Sequence, residues 1–150
     1  MAQLDVAQSD DVNRVIQTLP DDFKAIDILV NNAGLAKGVA FTADNATEDI
    51  NTVIDVNVKG LLFVTRAVLG GMIERNAGHV INVSSVAGLE AYKGGSIYCA
   101  SKHAVQAINN ALRKEMVDKN IRVTSICPGK PPQGPPEPPL RVIRDGRGRL

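Results

Sequence analysis

Tryptophan is absent from this 150-residue chain, aromatic residues make up only 3% of it, and it has just two cysteines. Without large rings, Val, Ile, Leu and Ala must fill the core, a composition that packs helices against a mostly parallel sheet. Cys99 and Cys127 lie far apart and have no Cys or His partner at zinc spacing, so no metal site is expected and both read as reduced core thiols. A dominant charge is lacking too. The 17 Lys and Arg face 16 Asp and Glu, a net +1, which leaves no broad basic field for nucleic acid. The first turns carry Asp5, Asp10, Asp11 and Arg14 and no apolar run of signal-peptide or membrane-span length. The expectation is a soluble, cytoplasmic protein with no nucleic-acid or membrane partner.

What is present alternates. The runs "AIDILVNNAG" (25–34), "GHVINVSSVAG" (78–88) and "IRVTSICPG" (121–129) are apolar, end in small residues, and predict three buried strands. Between them, "SDDVNRVIQTL" (9–19) predicts a helix capped by Ser9, with Val12, Val15, Ile16 and Leu19 on one face. The run 47–75 predicts a longer helix, capped by Thr47 and bent at Gly60 or at Gly70-Gly71. The run 96–119 places Val105, Ile108, Leu112 and Met116 on one stripe. Helix and strand in alternation give right-handed crossovers and a parallel sheet.

The chemistry-bearing residues sit at the ends of these elements. Tyr98 and Lys102, four apart on a helix, project from one face. An ammonium near a phenol favours the phenolate, which makes the phenol an acid and base near neutral pH; the same spacing also fits an ordinary helix surface. Ser84-Ser85 end a strand where open α/β sheets gather ligands, either as hydroxyl donors to a carbonyl oxygen or as a plain turn. Asn57 in "DVNVKG" is a poor helix former inside a helical run, placed to cap a local break or to hold a water. His79 and His103 read as packing or surface residues.

Taken together, "NNAG" (31–34), "NVKG" (57–60), "VINVSSVAG" (80–88), "YCASK" (98–102) and "ICPG" (126–129), with Ser85 lying 13 residues before Tyr98, resemble the short-chain dehydrogenase/reductase family. More narrowly, "LVNNAGLAKG" and "GGMIERNAGHVINVSSVAG" look like its NADP-dependent 3-hydroxy acid (serine) dehydrogenases. The resemblance implies an NADP-linked oxidoreductase, with NAD the alternative cofactor, acting on a small 3-hydroxy acid or alcohol. It assigns Tyr98 as general acid/base, Lys102 as the residue that lowers its pKa and holds the nicotinamide ribose, Ser85 as the substrate-oxygen donor, and Asn57 as organiser of a relay water. Asp5 and Val6 are placed by the adenine, Asn31, Ala33 and Gly34 along the adenosine side, and Pro128-Gly129 by the nicotinamide. Helices 47–75 and 96–119 are the surfaces through which the family's subunits pack, so a homo-oligomer is implied.

Two features depart from the family. No Gly-rich turn for a pyrophosphate occurs, and the chain starts at a stretch matching the end of the family's third strand, so an α/β, Rossmann-like sheet lacking its first β-α-β-α unit and last strand is expected, with 26–30 as an apolar edge. Seven of the eight prolines fall between 128 and 139, which predicts a partial domain at 1–129 and a disordered Pro/Arg-rich tail at 130–150. Within it, Pro136, Pro139 and Arg141 fit a PxxPxR pattern of the kind SH3 domains read. A non-catalytic fragment that acts only by docking its helices to related subunits is the alternative to an enzyme.

Overall fold

The computed structural model describes residues 3–129; the expected tail at 130–150 and its PxxPxR pattern lie outside the described residues. Three strands, β1 (Ile28–Asn31), β2 (Gly78–Val83) and β3 (Ile121–Ile126), form one parallel sheet in the order β1-β2-β3. The described residues also form the helices α1 (Ser9–Gln17), α2 (Asp21–Lys24), α3 (Thr47–Ile54), α4 (Leu61–Arg75) and α5 (Ser96–Glu115), of which α4 and α5 pack on the sheet. This is the parallel sheet that the alternation predicts and the Rossmann-like architecture that the resemblance implies. The register sets Asn31 beside Asn82, and Val83 beside Ile126, so the strands finish at a common edge.

The core gathers Leu29, Val68, Met72, Val80, Met116 and Ile121 from the sheet and from α4 and the end of α5. Met72 and Val80 are fully buried, and burial of each side chain stabilises the fold by about 1.5–3 kcal/mol. Successive side chains of a strand face opposite ways. Leu29 and Asn31 therefore turn into the core while Ile28 and Val30 stand 58% and 53% exposed, making β1 the apolar edge expected from the sequence.

Several local expectations are corrected. Ser9 and Thr47 are the first helical residues, not caps. Gln8 and Ala46 hold the cap positions without side-chain bonds, and acids in the first turns complement the helix dipoles instead. The predicted long helix is continuous over Thr47–Arg75, long and apolar enough by composition to cross a membrane, yet it packs against the sheet and α1 as a core helix does. Its irregularity lies at the first of the two expected places: a π-helical stretch, Asp55–Gly60, joins α3 to α4 and ends at Gly60, whereas Gly70-Gly71 lie inside regular α4. Gly60 there allows close packing, since a Cβ would come within 3.1 Å of the Val6 carbonyl oxygen. The last helix stops at Glu115 rather than 119, because Met116 turns into the core and the next residues feed β3.

After β2, a 3-10 turn (Val86–Gly88) folds back onto α5. A Cβ on Gly88 would sit 2.6 Å from the Lys102 carbonyl oxygen and 2.7 Å from Ser84 Oγ, and backbone cannot yield as a flexible side chain can. Gly88→Ala is expected to cost about 1–3 kcal/mol of stability through overpacking, read as a lowered midpoint in urea denaturation.

Candidate active site

The carboxyl edge of the sheet opens into a cleft of ≈ 320 Å³. Asn32, Gly34, Leu35 and Ala36 come from the loop after β1, Val83, Ser84 and Ser85 from the end of β2, Tyr98 and Lys102 from α5, and Pro128-Gly129 from beyond β3. Parallel strands ending at one edge bring these distant segments together.

The two serines divide the work. Ser84 is buried and its Oγ donates to the Lys102 carbonyl oxygen at 3.2 Å, tying β2 to α5. Ser85 has an extended backbone, and its Oγ accepts the Ala87 N–H at 3.1 Å. That bond uses a lone pair only, so the Ser85 hydroxyl hydrogen remains available to the cleft.

One turn apart on α5, Tyr98 is half-buried and Lys102 is 5% exposed. The Lys102 ammonium donates to the Val83 carbonyl oxygen at 2.9 Å and lies 5.8 Å from the centre of the Tyr98 ring. Burial holds the Lys102 pKa below the ordinary lysine value, because desolvation penalises the charged form. An ammonium has three hydrogens, and the bond to Val83 leaves two for other partners. Gly34 leaves the approach to Lys102 clear: a Cβ there would stand 3.3 Å from Nζ.

Behind the cleft, the π-helical stretch turns Asn57 inward. Its Oδ1 accepts the Leu35 N–H at 2.8 Å, and its amide donates to the Leu35 carbonyl oxygen at 2.8 Å and to Ser101 Oγ at 3.0 Å. Ser101 in turn donates to the Tyr98 carbonyl oxygen at 2.7 Å. Both amide hydrogens are taken and the side chain is 1% exposed, so Asn57 clamps Leu35 to α5 rather than offering its amide to a water. Asn57→Ala is expected to cost about 2 kcal/mol or more, since Leu35 loses partners for both its backbone groups; thermal denaturation checks it.

Of the cofactor-side residues expected from the sequence, Gly34, Tyr98, Lys102, Pro128 and Gly129 meet in the cleft. Four do not line it. Asn31 is buried and donates to Thr65 Oγ1 and Asn82 Oδ1, each at 2.9 Å. Ala33 is exposed in the loop between Asn32 and Gly34. Asp5 and Val6 stand before α1, where the Asp5 N–H is held by the Asp11 carboxylate at 2.9 Å and Val6 packs on Gly60. Sequence reasoning missed Asn32 and Leu35 on the cleft wall. It also missed the buried chain Thr65, Asn31, Asn82 and Asn109, in which Asn82 donates to Asn109 at 3.1 Å and fixes the strand ends against α4 and α5. The visible signal was an amide inside two of the apolar runs, Asn31 in 25–34 and Asn82 in 78–88.

Comparison with known proteins adds three findings. A family model described as short chain dehydrogenase matches residues 1–131. The chain is 46% identical over 129 residues, 86% of its length and 52% of the relative's, to an NADP-dependent 3-hydroxy acid dehydrogenase of Shigella flexneri. It superposes with a TM-score of 0.84, at 47% identity, on serine dehydrogenase from Escherichia coli, covering 85% of this chain and 59% of that one. The closed form of serine dehydrogenase complexed with NADP+ gives the same score and identity over 85% and 52%. The chain spans about half the length of the curated relatives it matches.

Proposed function

The chain belongs to the short-chain dehydrogenase family, and from that premise we propose that it transfers hydride between NADP(H) and the CH–OH or carbonyl group of a small 3-hydroxy acid or alcohol. One observation carries the reading: Ser85, Tyr98 and Lys102, from two elements, converge on a single cleft at the carboxyl edge of the sheet. NADP is taken as the cofactor, with NAD the alternative, because the relatives at 46–47% identity are described by NADP.

The residues present fit the nicotinamide-ribose end of such a cofactor. The cleft's ≈ 320 Å³ accommodates part of a dinucleotide, Gly34 leaves the Lys102 ammonium open on one side, and Pro128-Gly129 form part of the wall. When bound, the cofactor supplies or accepts the hydride. The protein's part is position and protons. Ser85 donates its hydroxyl hydrogen to the substrate oxygen, and Tyr98 gives that oxygen a proton during reduction and takes it back during oxidation. Lys102 provides positive charge beside the phenolate and hydrogen bonds for the ribose hydroxyls. Asn57 keeps Leu35 and α5 in register. The test is NADPH formation from NADP+ with 3-hydroxypropanoate or serine, followed over a range of cofactor concentrations. No reduced cofactor with any hydroxy acid or alcohol would remove the reading.

A second reading, docking to related subunits without catalysis, is favoured by exposed Leu62 and Ile73 on α4 and Val117 just beyond α5. Light scattering decides it: a monomer at all concentrations removes self-association through these helices.

A further inference from the structure

Two cavities border Tyr98, and their charges differ in use. Among the described residues, Lys102 is the one cation that lines the cleft. A narrow crevice on another side of Tyr98 is walled by Lys37, Asn45, Val53, Gly94 and Gly95. No Asp or Glu among the described residues lines either one. Lys102 gives one hydrogen to the Val83 carbonyl oxygen and in the proposed reaction the other two serve the ribose hydroxyls, so among the described residues lining the two cavities Lys37 is the second cation.

We infer that Lys37 receives the carboxylate of the substrate, and so selects hydroxy acids over neutral alcohols; the inference rests on the reaction proposed above. Its backbone is fixed on both sides. Asn57 grips both Leu35 backbone groups at 2.8 Å, and the Ala40 N–H donates to the Gly94 carbonyl oxygen at 3.1 Å. Its side chain is held far less firmly. The only ionic neighbour of Lys37 among the described residues is Asp49 at 3.6 Å, itself open to solvent. That separation exceeds a charge-assisted hydrogen bond of about 2.7–2.9 Å, and such exposed pairs are weak. The ammonium is therefore free to turn toward a carboxylate while its backbone stays held beside the crevice. The crevice itself, ≈ 10 Å³, admits a single water at most. The carbon chain of the substrate thus lies in the larger cleft, and its carboxylate reaches Lys37 past Tyr98, the residue that lines both cavities. Lys93, the neighbouring cation, sits over the Phe41 ring at 5.2 Å and lines neither cavity.

The test is binding of 3-hydroxypropanoate and of its neutral isostere 3-hydroxypropanamide to the full chain, with and without NADP+, by ligand-observed NMR. The acid is expected to bind the wild-type chain more tightly than the amide, with the margin shrinking in salt. Lys37→Met is expected to weaken acid binding about 10- to 100-fold, the loss of one charged hydrogen bond, and to leave the amide unchanged. Lys37→Arg retains most of the preference, and Lys93→Met all of it. Equal losses for acid and amide in Lys37→Met, no loss at all, or no acid preference in the wild-type chain would each overturn the assignment. Failure of the reaction reads separately, as absence of NADPH formation from either probe in the wild-type chain.

Discussion

Tyr98→Phe is expected to lower NADP-linked turnover by about 10²- to 10⁴-fold, the range that a positioned acid/base contributes. The ring stays on α5 and only the phenolic oxygen is lost, so stability should change by less than about 1 kcal/mol. Cofactor affinity should fall by no more than one hydrogen bond, about fivefold. The split matters. A residue that merely shapes the cleft would change binding and turnover together, whereas a proton donor and acceptor leaves KM near its wild-type value and removes kcat. Steady-state kinetics beside a thermal melt separates the two.

Lys102→Met is the second large effect. Methionine fills similar volume, but the ammonium beside Tyr98 and its bond to Val83 disappear. Turnover should drop about 10²- to 10³-fold, as when one electrostatic donor is removed from a reacting centre, and cofactor binding should weaken as well. The same variant carries a pH signature. Burial holds the folded-state pKa of Lys102 below the unfolded-chain value of 10.5. Between those two values the unfolded chain binds a proton that the folded chain does not, so in this window stability gained through Lys102 rises with pH. Below the folded-state pKa the burial cost is fully present. Urea denaturation across the alkaline range should show that rise in the wild-type chain and lose it in Lys102→Met.

How far the sequence revealed this site depends on the range of the interaction involved. Tyr98 and Lys102 were legible because four-residue spacing on a helix is a local rule, and the strand ends were legible because apolar runs stopped at small residues. Ser84 and Ser85 could not be told apart by position: only the close approach of α5 commits Ser84 to the Lys102 carbonyl oxygen and leaves Ser85 facing the cleft. Asn57 was visible as a misfit in a helix, but its partner Leu35 is 22 residues away, and a π-helical stretch has no composition of its own. The caps at Ser9 and Thr47 failed for a local reason. Each is followed by two acids that already answer the helix dipole, and the preceding Gln8 and Ala46 take the extended cap geometry without a side-chain cap bond. Asn31 matched the family's motif, yet parallel register turned it toward Asn82 and the core rather than toward the cleft.

In the proposed reaction one cleft joins Ser85, Tyr98 and Lys102 into an acid/base site for NADP-linked hydride transfer. The most direct measurement is NADPH absorbance during incubation of the full chain with NADP+ and 3-hydroxypropanoate, for wild type and Tyr98→Phe side by side. The account predicts NADPH formation by the wild-type chain and its near-complete loss in the variant. Equal rates in the two chains, or none in either, would contradict it.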